Sequence, residues 1–476
     1  MTQNLVLILA LCAFSTIANA NLAGTAAAVD IGVVNQVKNW AMPTVLNIIN
    51  NYDVGKIEFS EGQVDNIKIN LAIQDLNSIN VGFVGASNSI SCHAQDISGE
   101  MSGSYKFKFL FLSTSGNFKV RIDDGGATIN MLVPLLSQTI NGKKIPAVGI
   151  NNFNLNIDSS KIHIDLSGSI IADIADAFVS LFKSLILGKI NGIINDDIPP
   201  IIKDKINGIV ADTNGIASFY KELALDFTFV TDPIITDNNM ALFLNATIYN
   251  STSGYKIPGE QAEDIQVLPS VANSVQMSLS HYTADSFLMA IHEENLLQYT
   301  VDGVSFPSIA EELTTTYLDG LLPGLVQKYG DNIPVQIALI AKTAPRSLFQ
   351  KDALGVIIDL DLTFIVKNEV AIVVTLYDFI SRVDLKLTGA NLTAQLLSIK
   401  IDHATATDSK IGDFNAQDFK DFLNVSSRIV IPFINNLLLE KAFTLPSSFF
   451  GVVQVNSAQF QSFDNYLAIS IVPQFI

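Results

Sequence analysis

The chain has 476 residues, of which 49% are hydrophobic and only 16% are charged. Ordinary globular proteins carry about 25% charged residues, and disorder requires low hydrophobicity with high charge, so the composition excludes a disordered or low-complexity chain. The formal net charge of −18 argues against nucleic acid as a partner, because phosphate contacts depend on Lys and Arg. The length predicts two or more domains.

The N-terminus has the pattern of a secretory leader. An apolar run from Leu5 to Ile17 is followed by Ala18-Asn19-Ala20, a small-residue cleavage motif. We therefore predict that residues 1–20 are a signal peptide and that the mature protein is secreted and soluble. An N-terminal membrane anchor is the alternative, although the run is short for a membrane span.

Cysteine and sequon usage fits a secreted chain without a disulfide. Cys12 leaves with the leader, so Cys92 has no intrachain partner, and we interpret it as a buried or incidental thiol. Four N-x-S/T sequons predict glycosylation in the second half. They lie at Asn245, Asn250, Asn391 and Asn424.

The first half begins with a helical pattern, continues with strand alternation and closes with two strands. Pro43 is expected to kink or interrupt the first helix and Pro199-Pro200 to break the second, with a further helical piece reaching Val210. The predicted elements are a helix over 24–50, strands over 56–164, a helix over 170–194, and strands over 223–231 and 240–249.

The second half follows the same plan after a segment without periodicity. The predicted elements are strands over 274–304, a helix over 308–329, strands over 335–403, a helix over 416–442, and strands over 452–459 and 466–472. Two halves of long alternating strands and few helices predict an α+β protein with antiparallel sheets. The predicted domains are 21–249 and 274–476, joined by a linker at 250–273.

Three segments resemble the family of bactericidal/permeability-increasing protein, lipopolysaccharide-binding protein and the plasma phospholipid and cholesteryl ester transfer proteins. The resemblance covers nearly the whole mature chain and rests on the order and spacing of the segments. They are ISGEMSGSYKFKFLFLSTSGNFKVRI at 97–122, VQMSLSHYTADSFLMAIHEENLLQYTVDG at 275–303 and IPFINNLLLEKAFTLPSSFFGVVQVNSAQFQSFDNYLAISIV at 431–472.

The resemblance implies an elongated boomerang with the tubular lipid-binding fold. Two barrel-like antiparallel domains, each with two long helices, would flank a central sheet. Each domain would hold one phospholipid in an apolar pocket, without catalysis.

The sequence departs from this family in two respects. The family usually has a disulfide between a first-half strand and the long first-half helix, but 146–157 and 170–207 contain no cysteine. Endotoxin-binding members have a strongly basic hairpin at the first-half tip. Here only Lys106, Lys108, Lys119 and Arg121 are basic, and the hairpin end is apolar.

A lipid carrier needs continuous apolar walls. Burial of one methylene contributes about 0.8 kcal/mol, so a 16-carbon chain gains roughly 13 kcal/mol in a bilayer, and the carrier must nearly match that value. The apolar stripes of the helices are the candidate walls, with ordinary core packing as the alternative for each residue. The candidate lipid-binding residues are Val33, Val37, Trp40, Phe178, Leu181, Leu185, Leu318, Leu322, Phe422 and Phe433.

The hairpin after Tyr105 is a candidate membrane contact. Alternation places Phe107 on the barrel face, while the opposite face becomes apolar towards the turn. The candidate contact residues are Lys106, Lys108, Leu110, Phe111 and Leu112; the alternative is that a neighbouring strand covers the leucines. The first half is also less acidic, with a net charge of −4 over 21–225 against −14 over 226–476, which eases approach to an anionic surface.

No catalytic motif is complete. His292-Glu293 starts like H-E-x-x-H, but position 296 is Leu; no G-x-S-x-G elbow, G-x-G-x-x-G motif or P-loop occurs. We therefore predict no enzyme activity, no cofactor and no metal.

The sequence thus predicts a secreted, monomeric lipid-binding or lipid-transfer protein. Its partners would be a phospholipid or similar amphiphile and, transiently, a membrane or lipid-particle surface. The alternatives are a microbial-surface protein that recognises lipopolysaccharide in defence, and a structural or adhesion protein with dry barrels.

Overall fold

The computed structural model describes most of the chain. The described residues are 23–60, 62–109, 112–168, 175–220, 222–259, 262, 265–388, 391–428, 431–432, 434–435, 443–444 and 453–475. The predicted signal peptide lies outside them.

Strands dominate the first half. They are β1 (Thr25–Val29), β2 (Ile57–Phe59), β3 (Gly62–Ile73), β4 (Ile79–Val84), β5 (Ser89–Phe109), β6 (Leu112–Ile140), β7 (Lys143–Val148), β8 (Asn151–Ile157), β9 (Ile162–Gly168), β10 (Ile216–Tyr220), β11 (Leu223–Asp226), β12 (Ile234–Ile235), β13 (Met240–Leu244) and β14 (Ile248–Asn250).

Ten more strands follow in the second half. They are β15 (Val275–Ser280), β16 (Gln298–Val301), β17 (Val335–Ala341), β18 (Arg346–Gln350), β19 (Ala353–Val366), β20 (Glu369–Thr388), β21 (Asn391–Thr407), β22 (Phe443–Thr444), β23 (Val453–Phe463) and β24 (Tyr466–Phe475).

The described helices are few, and only two are long. They are α1 (Ile31–Asn50), α2 (Ala175–Ala211), α3 (His281–Glu293), α4 (Thr315–Leu318), α5 (Leu325–Tyr329) and α6 (Ala416–Val425). Short 3₁₀ turns occur at Leu76–Ser78, Gly85–Ser87, Ser159–Lys161 and Pro307–Ile309.

The strands form three large antiparallel sheets and one small sheet. An eight-stranded sheet around β3, β5 and β6 builds the first half, and a seven-stranded sheet around β19, β20 and β21 builds the second. A six-stranded sheet in the order β12-β13-β1-β15-β24-β23 combines strands of both halves. The predicted α+β class with antiparallel sheets is confirmed.

The first predicted helix was too long at its start. Residues Thr25–Val29 are all buried and form β1, which pairs with β13 on one side and β15 on the other. Asp30 then starts α1 by accepting a hydrogen bond from the Gly32 backbone N–H at 2.8 Å. Because strands cover both edges of this Ala-rich segment, the sheet overrides its helical pattern.

The expected proline breaks do not occur. Helix α1 continues through Pro43, whose ring is exposed, and α2 continues through Pro199 and Pro200. Ile198 and Ile202 on either side of the second pair are buried. Burial of these neighbours offsets the cost of about 3 kcal/mol for proline inside a helix.

Two second-half predictions were also wrong. The segment predicted as strands over 274–304 contains α3, which Ser280 caps. The helix predicted over 308–329 consists of α4 and α5 separated by Pro323 and Gly324, and Gly324 has φ +99°. Helix α4 thus ends at Leu318, and Gly324 precedes the start of α5. Of the helix predicted over 416–442, α6 and residues 427–428, 431–432 and 434–435 are helical, and most of the remainder lies outside the described residues.

Candidate functional site

An apolar pocket lies inside the first-half sheet, against α2. Its enclosed space is about 10 Å³, roughly what one water molecule needs, so the strands and α2 lie close together around it. The lining residues are Ile69 and Leu71 on β3, Glu100 and Met101 on β5, Ile122 and Ala127 on β6, Leu155 and Ile157 on β8, and Ile194 on α2.

Strand alternation builds the apolar wall. On β3, Ile67, Ile69 and Leu71 are buried while Lys68 and Asn70 are exposed, as expected for a strand with one face towards the core. At the rim, the Glu100 carboxylate forms an ion pair with Lys119 at 2.5 Å. The pocket thus has an apolar interior and a charged pair beside it.

Two asparagine side chains fix the pocket walls. The Leu71 backbone N–H donates to Asn50 Oδ1 at 2.7 Å, and Asn50 Nδ2 donates to the Leu71 carbonyl at 3.0 Å. Asn195 makes the same pair of bonds with Leu155, at 2.7 and 3.4 Å. Helices α1 and α2 are therefore attached to the lining strands by polar contacts as well as by the buried apolar cluster.

The helix also places one unsatisfied polar atom near this wall. Asn191, one turn before Asn195 on α2, has a buried Oδ1 without a hydrogen-bond partner in the described part of the chain. Residues four apart lie on the same helix face. A ligand group that donates a hydrogen bond would satisfy this oxygen.

Among the helical residues predicted to bind lipid, those with described side chains do not line this pocket. Val33 and Val37 are buried in a cluster beside the central sheet, with Trp40 packed against it. Leu318 and Leu322 are buried in the second-half core. Phe422 is 48% exposed on α6, so it lines no pocket there. The side chains of Phe178, Leu181, Leu185 and Phe433 lie outside the described residues.

The predicted membrane-contact residues are only partly described. Lys106 and Lys108 are exposed on β5, while Phe107 between them is buried. Leu110, Phe111 and the side chain of Leu112 lie outside the described residues.

The four sequons have different environments. Asn391 is exposed, and Asn245 is half-buried with its amide 3.3 Å from the Tyr255 hydroxyl. Asn250 is 4% exposed and its amide donates to Glu294. Asn424 uses its amide to hold Ile401. A sugar at Asn250 conflicts with this burial, and one at Asn424 with this pairing.

The pocket lining was not predicted, because the candidate lipid-binding residues were placed on helices. Eight of the nine lining residues lie on strands. The alternation of β3 was the available signal, but it marks only an inward face and does not distinguish a cavity wall from packed core.

The free thiol of Cys92 does not line this pocket. Burial raises the pKa of the Cys92 thiol to about 11, which suppresses its reactivity. Among the described residues, no group of three or more His, Cys, Asp or Glu side chains is placed to hold a metal ion. No helix within the described ranges combines the length and apolar character needed to cross a membrane.

Comparison with protein families identifies the class of this chain. Residues 217–472, more than half of the sequence, match the C-terminal domain of the LBP/BPI/CETP family. The chain belongs to the LBP/BPI/CETP family, and the resemblance seen in the sequence is confirmed.

Solved structures support the same fold. The crystal structure of lipopolysaccharide binding protein aligns with 95% of this chain and 99% of its own length, with 17% identity and a TM-score of 0.50. Takeout 1 of Epiphyas postvittana aligns with 38% of this chain and 88% of its own, with 12% identity. Its TM-score of 0.24 is too low to support an argument. No curated protein matches the sequence.

Proposed function

We propose that this protein is a secreted lipid-binding or lipid-transfer protein that carries phospholipid-like amphiphiles and has no catalytic activity. The observation that carries the proposal is the apolar pocket between β3, β5, β6, β8 and α2. Membership of the LBP/BPI/CETP family supports it.

The lining of the pocket has the apolar character that an acyl chain requires. Each buried methylene contributes about 0.8 kcal/mol, so a lining of Ile, Leu, Met and Ala side chains replaces the bilayer interior. The enclosed space of about 10 Å³ is much smaller than an acyl chain, so a lipid enters only when α2 moves away from the strands. Asn191 would then bind a hydroxyl or amide donor near the head of the ligand.

Ligand extraction tests this function. Organic extraction of purified protein followed by mass spectrometry should release a phospholipid or related amphiphile. Ala127→Leu places a larger side chain in the pocket and should reduce the bound lipid severalfold. Ala94→Leu adds the same volume on β5 of the same barrel, outside the pocket, and should retain it. Absence of lipid from the unmodified protein, after refolding in the presence of phosphatidylcholine, would reject the proposal.

We further propose that the second half holds a second ligand, that the protein acts as a monomer, and that the domains are 21–249 and 274–476 around a linker. The described residues between Asn250 and Ser274 contain no helix or strand after β14, which supports the linker. Glycosylation is proposed at Asn245 and Asn391. Peptide mapping of the secreted protein would test both sites.

We also propose that the hairpin between β5 and β6 meets the donor or acceptor membrane, with Leu110, Phe111 and Leu112 as apolar contacts. The exposed ammonium groups of Lys106 and Lys108 support binding to anionic headgroups. Lys106→Glu with Lys108→Glu should weaken flotation with phosphatidylserine vesicles severalfold. Lys386→Glu with Lys400→Glu, at two exposed lysines on β20 and β21 of the second half, changes the charge by the same amount and should leave flotation unchanged.

The alternative function is recognition of lipopolysaccharide. The fold shared with lipopolysaccharide binding protein and the exposed lysines favour it. Lipopolysaccharide binding that falls steeply with salt, and that exceeds binding to phosphatidylcholine, would select this alternative.

A further inference from the structure

Exposed apolar side chains concentrate in one short stretch of the second half. Leu296 is 39% exposed, Tyr299 40%, Val304 89% and Tyr317 62%. We call these four side chains the 296–317 patch. Scattered single apolar residues on a surface are normal, whereas a concentration of them marks an interaction site.

A small folded unit lies in the same stretch of chain as the patch. Val301, Phe306, Ile309 and Leu313 form its buried cluster, with Ile337 and Leu339 of β17 packed against them. The Tyr299 ring lies 5.9 Å from the Phe306 ring.

Backbone contacts continue this unit to Tyr317. The Val335 N–H donates to the Leu313 carbonyl at 2.9 Å, and Thr314 bridges Pro334. The Tyr317 N–H donates to Thr314 Oγ1 at 3.4 Å. The surface is therefore preformed, and binding there needs little ordering of the chain.

The loop that carries Val304 is fixed in the same way. The backbone N–H groups of Val304 and Ser305 donate to Asp302 Oδ1 at 3.1 and 2.7 Å. These bonds also hold the pKa of Asp302 below its usual value. Asp302 therefore adds a fixed negative charge next to Val304.

The charge around the patch has one sign. Residues 257–327 contain ten Asp and Glu but no Lys or Arg. Asp302, Glu311, Glu312 and Asp319 lie within or beside the patch segment. None of the four forms an ion pair with any described residue.

We propose that the 296–317 patch is a docking surface for an arginine-bearing segment of a partner protein. A guanidinium group stacks on tyrosine rings and pairs with carboxylates in a fixed fork. Exposed tyrosines beside unpaired carboxylates supply both interactions. An anionic membrane would be repelled by the same carboxylates, so the charge selects a basic protein partner. This inference does not depend on the lipid pocket.

Uncharged substitutions separate specific docking from general attraction to an acidic protein. The probe is a fluorescent twelve-residue peptide of alternating Arg and Gly, and the readout is anisotropy at about 0.15 M salt. Val304→Ser with Tyr317→Ser leaves the net charge at −18 and should weaken binding at least tenfold. Val425→Ser is the matched control, because Val425 is 84% exposed on α6 but lies outside the patch; its affinity should equal that of the unmodified chain.

Two further measurements complete the test. Tyr317→Phe keeps the ring face and should retain most of the affinity. Equal peptide binding by the Val304/Tyr317 variant and the unmodified chain would overturn the proposal, since the attraction would then be general. The proposal would also be overturned if the Val304/Tyr317 variant lost binding to phosphatidylcholine vesicles but kept its binding to the peptide. The surface would then contact lipid.

Discussion

The two halves attach their helices to their sheets in the same way, although the helices differ. In the first half, Asn195 and Asn207 on α2 bind the backbones of Leu155 and Val148. In the second half, Asn424 on α6 and Asn435 bind Ile401 and Leu396. In every case one amide accepts from the N–H and donates to the C=O of the same strand residue.

The spacing of these asparagines is also repeated. The first pair is 12 residues apart and the second 11, each a little over three turns of an α-helix. In both halves the later asparagine binds the earlier strand residue. We call these contacts the asparagine clamps. The two halves therefore share the same kind of polar attachment, and a two-point amide contact fixes the position of a helix along a strand more firmly than an apolar stripe does.

The largest expected difference between the halves is a loss of stability of the first half at alkaline pH. The pKa of the Cys92 thiol is raised from 9.0 to about 11 by burial, so the folded first half favours the protonated form. This contribution is complete below pH 9 and is lost as pH rises through 11. A shift of about two units corresponds to a loss of about 3 kcal/mol in unfolding free energy.

Urea titrations between pH 8 and 11.5 would measure this loss. Cys92→Ala is the control and should lose less stability over the same pH range. The sequence has two cysteines, Cys12 and Cys92. In a chain expressed from residue 21, thiol labelling follows the first half alone, and Cys92→Ala with Ala404→Cys moves the probe to the second. Identical pH profiles for Cys92 and Cys92→Ala would contradict the expectation.

Removal of one clamp in each half tests whether the repeated contact has the same value. Asn207→Leu and Asn424→Leu leave the backbone groups of Val148 and Ile401 unpaired, and both residues are buried. Each change should lower the unfolding free energy by about 1–3 kcal/mol, measured by urea denaturation.

An exposed helical asparagine provides the matched control for the clamps. Asn39→Leu on α1 should change stability by less than about 0.5 kcal/mol. Equal losses in the two clamp variants would support a shared attachment. A loss at Asn207 alone would show that other contacts hold the second-half helix.

Substitution of two glycines, one inside α2 and one between α4 and α5, should have the smallest effect on stability. A Cβ at Gly208 in α2 meets no atom of the described residues within 4 Å, so Gly208→Ala should stabilise by up to about 1 kcal/mol. A Cβ at Gly324 would lie 2.2 Å from the Ile411 carbonyl oxygen at φ +99°, so Gly324→Ala should destabilise. Thermal melts of both variants test the pair, and stabilisation by Gly324→Ala would refute this account of the broken helix.

Sequence patterns predicted the sheets better than the helices. Alternation predicted strands over 56–164 and 335–403, close to the observed strands from Ile57 to Gly168 and from Val335 to Thr407, because apolar and polar residues alternate along them. Helical periodicity predicted burial of Leu318 and Leu322 correctly but not the break between α4, which ends at Leu318, and α5, which begins after Gly324. Residues Thr25–Val29 became a strand through pairing with Val275–Ser280, which is too distant in sequence for any local pattern.

The candidate site was less predictable than the fold. The pocket depends on where strand side chains leave a gap below Ile194, and alternation contains no information on gaps. The clamps depend on single asparagines among many, and only their contact with a particular strand residue distinguishes Asn195 from Asn191.

The shared central sheet has a consequence for biosynthesis. Strand β1 leaves the ribosome about 250 residues before β15, the neighbour that covers one of its edges. At about 5–20 residues per second, this delay is roughly 13–50 s, during which the nascent first half presents an unpaired, Ala-rich edge. Chaperone capture during translation, or pausing near the middle of the message, would then determine the yield of native protein.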